Sequence, residues 1–335
     1  MTLRDLILET VFISQVSVGV LGNSALLLVY FNIFIYQPRK KKPTDLILTH
    51  LTMANMAILA ICVVQVMVTF GMKDVLDDIG CKSALYINRV SRGLSICTTC
   101  LLSVFQAITI SPGTSCWARL KPKATGYIVP SFFFFWILNM AIYTGIITSV
   151  QATKNVTVTG HTLISKGCST MPSVNYVIVT VSLTFVTFRD VFFVLIMMCA
   201  SVYMVIVLYR HRKQVQHLHS TSLSPKSSVE TQAIKTILLL VSCFVFFYWI
   251  NCCITLYLSF MKNDTELQSI AAFLSVCYPS LCPWVLIQND ARVPGPQYIL
   301  GKLRSSSPVA SRVEQETSQP SCPPGVLSED SNLWN

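Results

Sequence analysis

Three hundred and thirty-five residues would suit two soluble domains, but this chain is 53% hydrophobic and only 12% charged, where soluble globular proteins carry about 25% charge. A mean hydropathy of +0.58 leaves too little polar surface to keep a folded chain dispersed in water. Composition therefore argues for an integral membrane protein and against soluble enzymes and nucleic-acid readers. The net charge of +10 has to be read loop by loop.

A hydrocarbon core of about 30 Å needs about 20 apolar residues as helix. Free of Asp, Glu, Lys and Arg, the chain runs Thr10–Tyr36, then, after Arg39-Lys-Lys-Lys42, Leu46–Met72. Gly93–Ala118 follows, then, beyond Arg119, Lys121 and Lys123, Ala124–Thr153. Gly167–Phe188 and Val191–Tyr209 are separated only by Arg189 and Asp190, too little to turn a helical hairpin; Thr236–Met261 and Leu267–Asn289 complete the series. As one helix Gly167–Tyr209 would be ~64 Å long, twice a bilayer's thickness, so its first part lies outside the membrane. Gly167 to Asn175 has loop composition. Val179–Phe185 alternates apolar and polar, which fits either a half-buried strand or the start of a long fifth helix. The expected fold is an all-α seven-transmembrane helix bundle with approximate helices 10–36, 46–72, 82–110, 124–150, 187–212, 235–261 and 267–289. A short N-terminus (1–9) precedes this seven-helix unit (10–290), and a tail (291–335) rich in Ser, Pro and Gln reads as disordered. Met1–Thr10 lacks the pattern of a cleavable signal peptide, so the first helix is expected to act as the insertion signal.

Loop charge sets the orientation. Arg39–Lys42, Arg119, Lys121, Lys123, Arg210, Arg212, Lys213, Lys226, Lys235 and four tail residues give 16 of 25 basic residues to one side, and at most nine to the other. The richer side is expected to be cytoplasmic, which puts the N-terminus outside and the C-terminus inside. Cys81, at the outer start of helix 3, and Cys168, in the second outer loop, then share the oxidising face, where a disulfide between them is expected. The sequon Asn155-Val-Thr157 lies in the same loop as an expected glycosylation site; Asn263-Asp-Thr265, close to helices 6 and 7, is a weaker one. Cys97-Thr-Thr-Cys100 has zinc-ligand spacing but no second pair, and reads as buried apolar cysteine rather than metal.

Seven helices with this disulfide suggest a G-protein-coupled receptor, and specific segments go further. Lys42-Pro-Thr-Asp-Leu-Ile-Leu-Thr-His-Leu51 with Ala54-Asn55, the helix 3 stretch Gly80–Pro112, Leu120-Lys-Pro-Lys123, Thr187-Phe-Arg-Asp-Val191, Leu208–Ser220, Thr236–Val245 and Cys277-Tyr-Pro-Ser-Leu-Cys-Pro283 resemble the vomeronasal type-1 (pheromone) receptors. The resemblance covers residues 10–293. It implies a plasma-membrane chemosensory receptor for small volatile or steroid-like ligands, coupled to a heterotrimeric G protein of the inhibitory class, with no cofactor and no catalytic residues. Departures from the rhodopsin-like pattern belong to the same resemblance: Asn55 replaces an aspartate, Phe105-Gln-Ala107 replaces the acidic-Arg-Tyr triplet, and no proline follows Trp249. A bitter-taste-type receptor is the nearest alternative, which the Arg89–Pro112 stretch argues against. A seven-helix transporter or channel would need repeats, paired broken helices or a filter segment.

Ionisable residues within the membrane are functional candidates by default. Arg89 and Arg92 lie ~12 and ~16 Å below Cys81 on one face of helix 3. With the adjacent Asn88 they form either a floor for a ligand carbonyl, sulfate or carboxylate, or a structural pair with backbone carbonyls or Asp190. Arg189 and Asp190 read as a pocket lip or as a polar anchor at the outer interface. His50 reads as a satisfied polar group, and Phe132–Trp136 as lipid-facing bulk. Arg210, Arg212 and Lys213, on the inner extension of helix 5, face either the G protein or solvent.

Overall fold

The computed structural model describes residues 3–69, 77–152, 163–165, 168–170, 176–217, 225–260 and 265–289. Among them are seven helices long and apolar enough to cross a membrane: α1 (Leu3–Tyr36), α2 (Pro43–Thr69), α3 (Asp78–Ile110), α4 (Ile128–Ser149), α5 (Tyr176–His217), α6 (Pro225–Phe260) and α7 (Thr265–Asn289). Helices satisfy every backbone group within the segment, which hydrocarbon demands. The eight apolar stretches thus make seven spans, as the short Arg189-Asp190 break required.

Several helix ends differ from expectation. α1 begins at Leu3 rather than near residue 10, and α6 at Pro225 rather than 235; Pro225 is the first residue of that helix, where a missing N–H costs nothing. Helical turns from Lys121 to Tyr127 lead directly into α4. α5 runs unbroken for 42 residues, so the alternating segment 179–185 is helix and not strand. No glycine or proline between Tyr176 and Arg189 interrupts it, and period-two patterning alone does not stop a helix. Part of the region read as loop is also extended: β1 (Val150–Ala152), β2 (Leu163–Ser165) and β3 (Cys168–Thr170) pair antiparallel in the order β1-β3-β2. Ala152 stands opposite Cys168, and β1 packs against α3.

α3 is the centre of the bundle. Its span is 78% buried, against 17% for that of α4 and 22% for that of α5, and it packs on α2, α4, α5 and α6. The Asp77 side chain accepts from the Gly80 N–H at 2.7 Å and caps its start, while Asp45 does the same for α2 through the Lys42 N–H at 2.8 Å, as carboxylates at helix N-termini do. α1 meets α7 closely at Gly19 and Gly22, where a Cβ would stand 2.6 Å from Ser280 Oγ and 2.9 Å from Pro283 Cγ. Pro283, lacking an N–H, frees the carbonyl of Pro279 four residues back. The Asn23 amide, fully buried, donates to that carbonyl at 2.9 Å and to Gly19 O at 2.8 Å.

Candidate functional site

Two polar sites stand out among the described residues of the apolar helices. In the first, Arg189 and Asp190 of α5 are both buried, at 5% and 7% exposure, so they are not an anchor at the lipid interface. Arg189 donates from Nε to Asp190 Oδ1 at 2.8 Å and adds a second bond to that oxygen from Nη2. It also donates to Asn139 Oδ1 at 2.5 Å and to the Tyr143 hydroxyl at 3.0 Å, both on α4, and stands over the Tyr143 ring. From α6, the Tyr248 hydroxyl donates to Asp190 Oδ2. Gly93 of α3 makes room: a Cβ there would sit 1.7 Å from Asn139 Oδ1 and 2.6 Å from Arg189. A charge buried with its counter-charge and its remaining lone pairs occupied is the arrangement that makes a buried ion pair tolerable.

The second site is a cleft of about 50 Å³ between α2, α3, α6 and α7. Arg92, Ser95, Tyr248, Asn251, Ser275 and Tyr278 supply its polar groups; Ile58, Ile96, Phe244 and Phe247 are among its apolar walls. One side is a run of aromatic contacts: Tyr248 stacks on Phe244 at 5.6 Å, and Phe244 meets Tyr278 edge-on at 4.8 Å. The Tyr278 and Thr99 hydroxyls lie 3.1 Å apart.

The two arginines paired on helix 3 therefore part company. Arg92 lines the cleft, whereas Arg89 is exposed and does not line it. Asn88, one turn above Arg92, is half-buried, with Oδ1 shielded from solvent and without a hydrogen-bond partner. Asp190 pairs with Arg189, so it does not serve the helix 3 arginines as counter-ion. Tyr248, Asn139 and Tyr143 escaped the sequence reading, since a tyrosine or asparagine in an apolar helix shows no partner until the helices are packed.

Of the remaining expectations, His50 is satisfied: its Nδ1 lies 2.9 Å from Thr98 Oγ1, and Trp136 Nε1 donates to its Nε2 at 3.1 Å. Phe132 stacks on the imidazole at 4.2 Å. The α4 aromatic run is thus divided: Phe133 and Phe134 are exposed, Phe132 and Phe135 are engaged inward, and Trp136 is largely exposed while its N–H reaches His50. Cys81 is fully buried and disulfide-bonded, and Cys168 opens β3. Arg210 and Lys213 are exposed on α5; at the C-terminal end of α3 the Ser111 and Tyr203 hydroxyls lie 2.9 Å apart. The side chain of Arg212, both sequons (Asn155 and Asn263) and the tail 291–335 lie outside the described residues.

This seven-helix bundle has a rhodopsin-like architecture. It superposes on squid rhodopsin with a TM-score of 0.67 over 96% of this chain and 94% of that one, at 12% identity, a likeness that concerns the fold. The family is settled by sequence: the profile of the vomeronasal organ pheromone receptor family matches residues 6–296, and the chain belongs to that family. It is 37% identical to vomeronasal type-1 receptor 90 of Rattus norvegicus, over 85% of this chain and 91% of that one. Against vomeronasal type-1 receptor 2 of Homo sapiens it is 40% identical, over 82% and 70%, and against vomeronasal type-1 receptor 45 of Mus musculus 36%, over 85% and 89%. The protein is a multi-pass plasma-membrane receptor of a G-protein-coupled, ligand-sensing family.

Proposed function

We propose that this receptor senses small pheromone-like molecules, volatile or steroid-like, in the Arg92 cleft, and signals through a G protein of the inhibitory class. The observation that carries this reading is Arg92. It is a cation in a mostly apolar cleft, and no described carboxylate pairs with it. A ligand carbonyl, sulfate or carboxylate placed there gains a charge-assisted hydrogen bond worth ~1.5–3 kcal/mol. Asn88, one turn from Arg92 on α3, carries an unpartnered oxygen but does not line the cleft, so it is not counted among the ligand contacts. Arg89 sits outside the cleft, and Arg189 with Asp190 serves as the frame of the site rather than as a direct ligand contact.

The loop charges support an orientation with the N-terminus outside and the C-terminus inside. Arg210, Arg212 and Lys213 then extend α5 towards the G protein, Asn155 carries the glycan, and Cys168 is the partner of Cys81. An epitope at residue 1 stained on intact cells supports that orientation; one stained only after permeabilisation overturns it. The ligand site is tested with Arg92→Gln in cells carrying a promiscuous G protein and a panel of volatile and steroid odorants. Against any odorant that activates the wild type, the activating concentration should rise ~10-fold or more, equal to ~1.4 kcal/mol, at near-normal surface expression. Unchanged potency per surface receptor removes Arg92 from the site.

A further inference from the structure

The cleft and the charged network share one residue. The ring of Tyr248 lines the cleft beside Arg92, while its hydroxyl donates to Asp190 Oδ2. Asp190 is fixed by Arg189, and Arg189 by Asn139 and Tyr143 of α4. That single hydroxyl therefore ties α6 to a frame built from α4 and α5.

Size gives the tie its meaning. Sites for small molecules occupy roughly 300–1,000 Å³, and the cleft has about 50 Å³. A ligand of that size enters only if a wall moves. The α3 wall is the packed centre of the bundle, 78% buried, whereas the α6 span is 33% buried. The wall that yields is α6, with the Tyr248 ring at its face.

We propose that Tyr248 is a positioning residue that couples the cleft to helix movement: its bond to Asp190 holds α6 against α5, and a ligand beside Arg92 breaks the bond by displacing the ring. The second half of this statement rests on the ligand reading above; the first half does not. A ligand shifts a two-state equilibrium only through different affinities for the two states. The state with Tyr248 displaced has the larger cleft, which supplies the difference. A molecule small enough to reach Arg92 without pressing on Tyr248 binds both states alike and shifts nothing, however tightly it binds. Size, beyond polar chemistry, then separates activators from mere occupants.

The test needs neither ligand nor G protein. Spin labels are carried on unnatural amino acids at two exposed positions, 213 near the C-terminal end of α5 and 235 about three turns into α6, in the purified full-length receptor. Tyr248→Phe keeps the ring and removes the hydroxyl. Its label-to-label distance distribution should gain a longer population absent from the wild type. Tyr86→Phe removes a hydroxyl that donates to the Met140 carbonyl between α3 and α4, and its distribution should superimpose on the wild type. A Tyr248→Phe distribution identical to the wild type overturns the proposal. Failure of Tyr248→Phe to reach the membrane overturns it equally, because a bond required for folding is not one a ligand releases. If the distances shift but Arg92→Gln leaves potency unchanged, the tie stands and the ligand site falls.

Discussion

Two arginines, Arg189 and Arg92, stand inside the same bundle and differ in who answers them. Arg189 donates to a carboxylate, an amide oxygen and a phenol drawn from α4 and α5, and the carboxylate is shared with a hydroxyl from α6. Arg92 lines a cleft of aromatic and aliphatic walls with no described carboxylate on it. In hydrocarbon a cation needs water or a partner. A cation whose partners all belong to the protein is part of the scaffold, and one whose partners do not is available to something else. Substitution of Arg189 should therefore act first through stability, while Arg92 in the cleft should act through potency; Asp190, bonded to Tyr248, belongs to both.

The largest effect is expected at Arg189. Arg189→Met removes the counter-charge of a buried Asp190 and should destabilise the receptor by ~3–5 kcal/mol, seen as near-complete loss of surface staining. The double variant Arg189→Met, Asp190→Leu removes both charges and should regain part of that loss, since it is the lone buried charge that costs most. Wild-type surface levels in Arg189→Met would erase the distinction between the two arginines. The disulfide comes next. Cys81→Ser and Cys168→Ser should each cost ~2–5 kcal/mol, and the double variant should be no worse than either alone because both remove one bond. Additive losses in surface expression would mean that the two cysteines pair elsewhere.

The span count and the helical class were legible in the sequence because they follow from length and hydropathy, properties of single segments. Arg92 as a binding candidate was legible for the same reason: a charge deep in an apolar helix marks itself. The pairing of Arg89 with Arg92 failed because a spacing of three puts two residues only ~60° apart on the helix surface, by 3.6 residues per turn, and the edge of a cleft can fall between them. The partners of Arg189 were not legible. Asn139, Tyr143 and Tyr248 lie 50, 46 and 58 positions from their partners in the network, and only packing brings them together. Trp136 shows the same limit on the bundle's flank, where an aromatic run that reads as lipid-facing holds a hydrogen bond to α2.

That flank gives the smallest effect and the finest test of the rule. An indole N–H only donates, so the Trp136 bond fixes His50 Nε2 as acceptor and leaves the Nδ1 proton to point at Thr98 Oγ1. Both ring nitrogens of a neutral imidazole are then used, with Phe132 stacked on its face. Trp136→Phe keeps the aromatic bulk and deletes the donor. The indole is 45% exposed in the protein, but its outer surroundings are lipid, so the vacated Nε2 acceptor finds no water from that side. The loss should be the net value of one hydrogen bond, ~0.5–1.5 kcal/mol, read as a small fall in the thermal midpoint of the purified receptor. The activating concentration of any odorant that works on the wild type should not move. A potency shift in Trp136→Phe without loss of stability would show that a fully partnered site also takes part in sensing, and the division drawn between Arg189 and Arg92 would no longer hold.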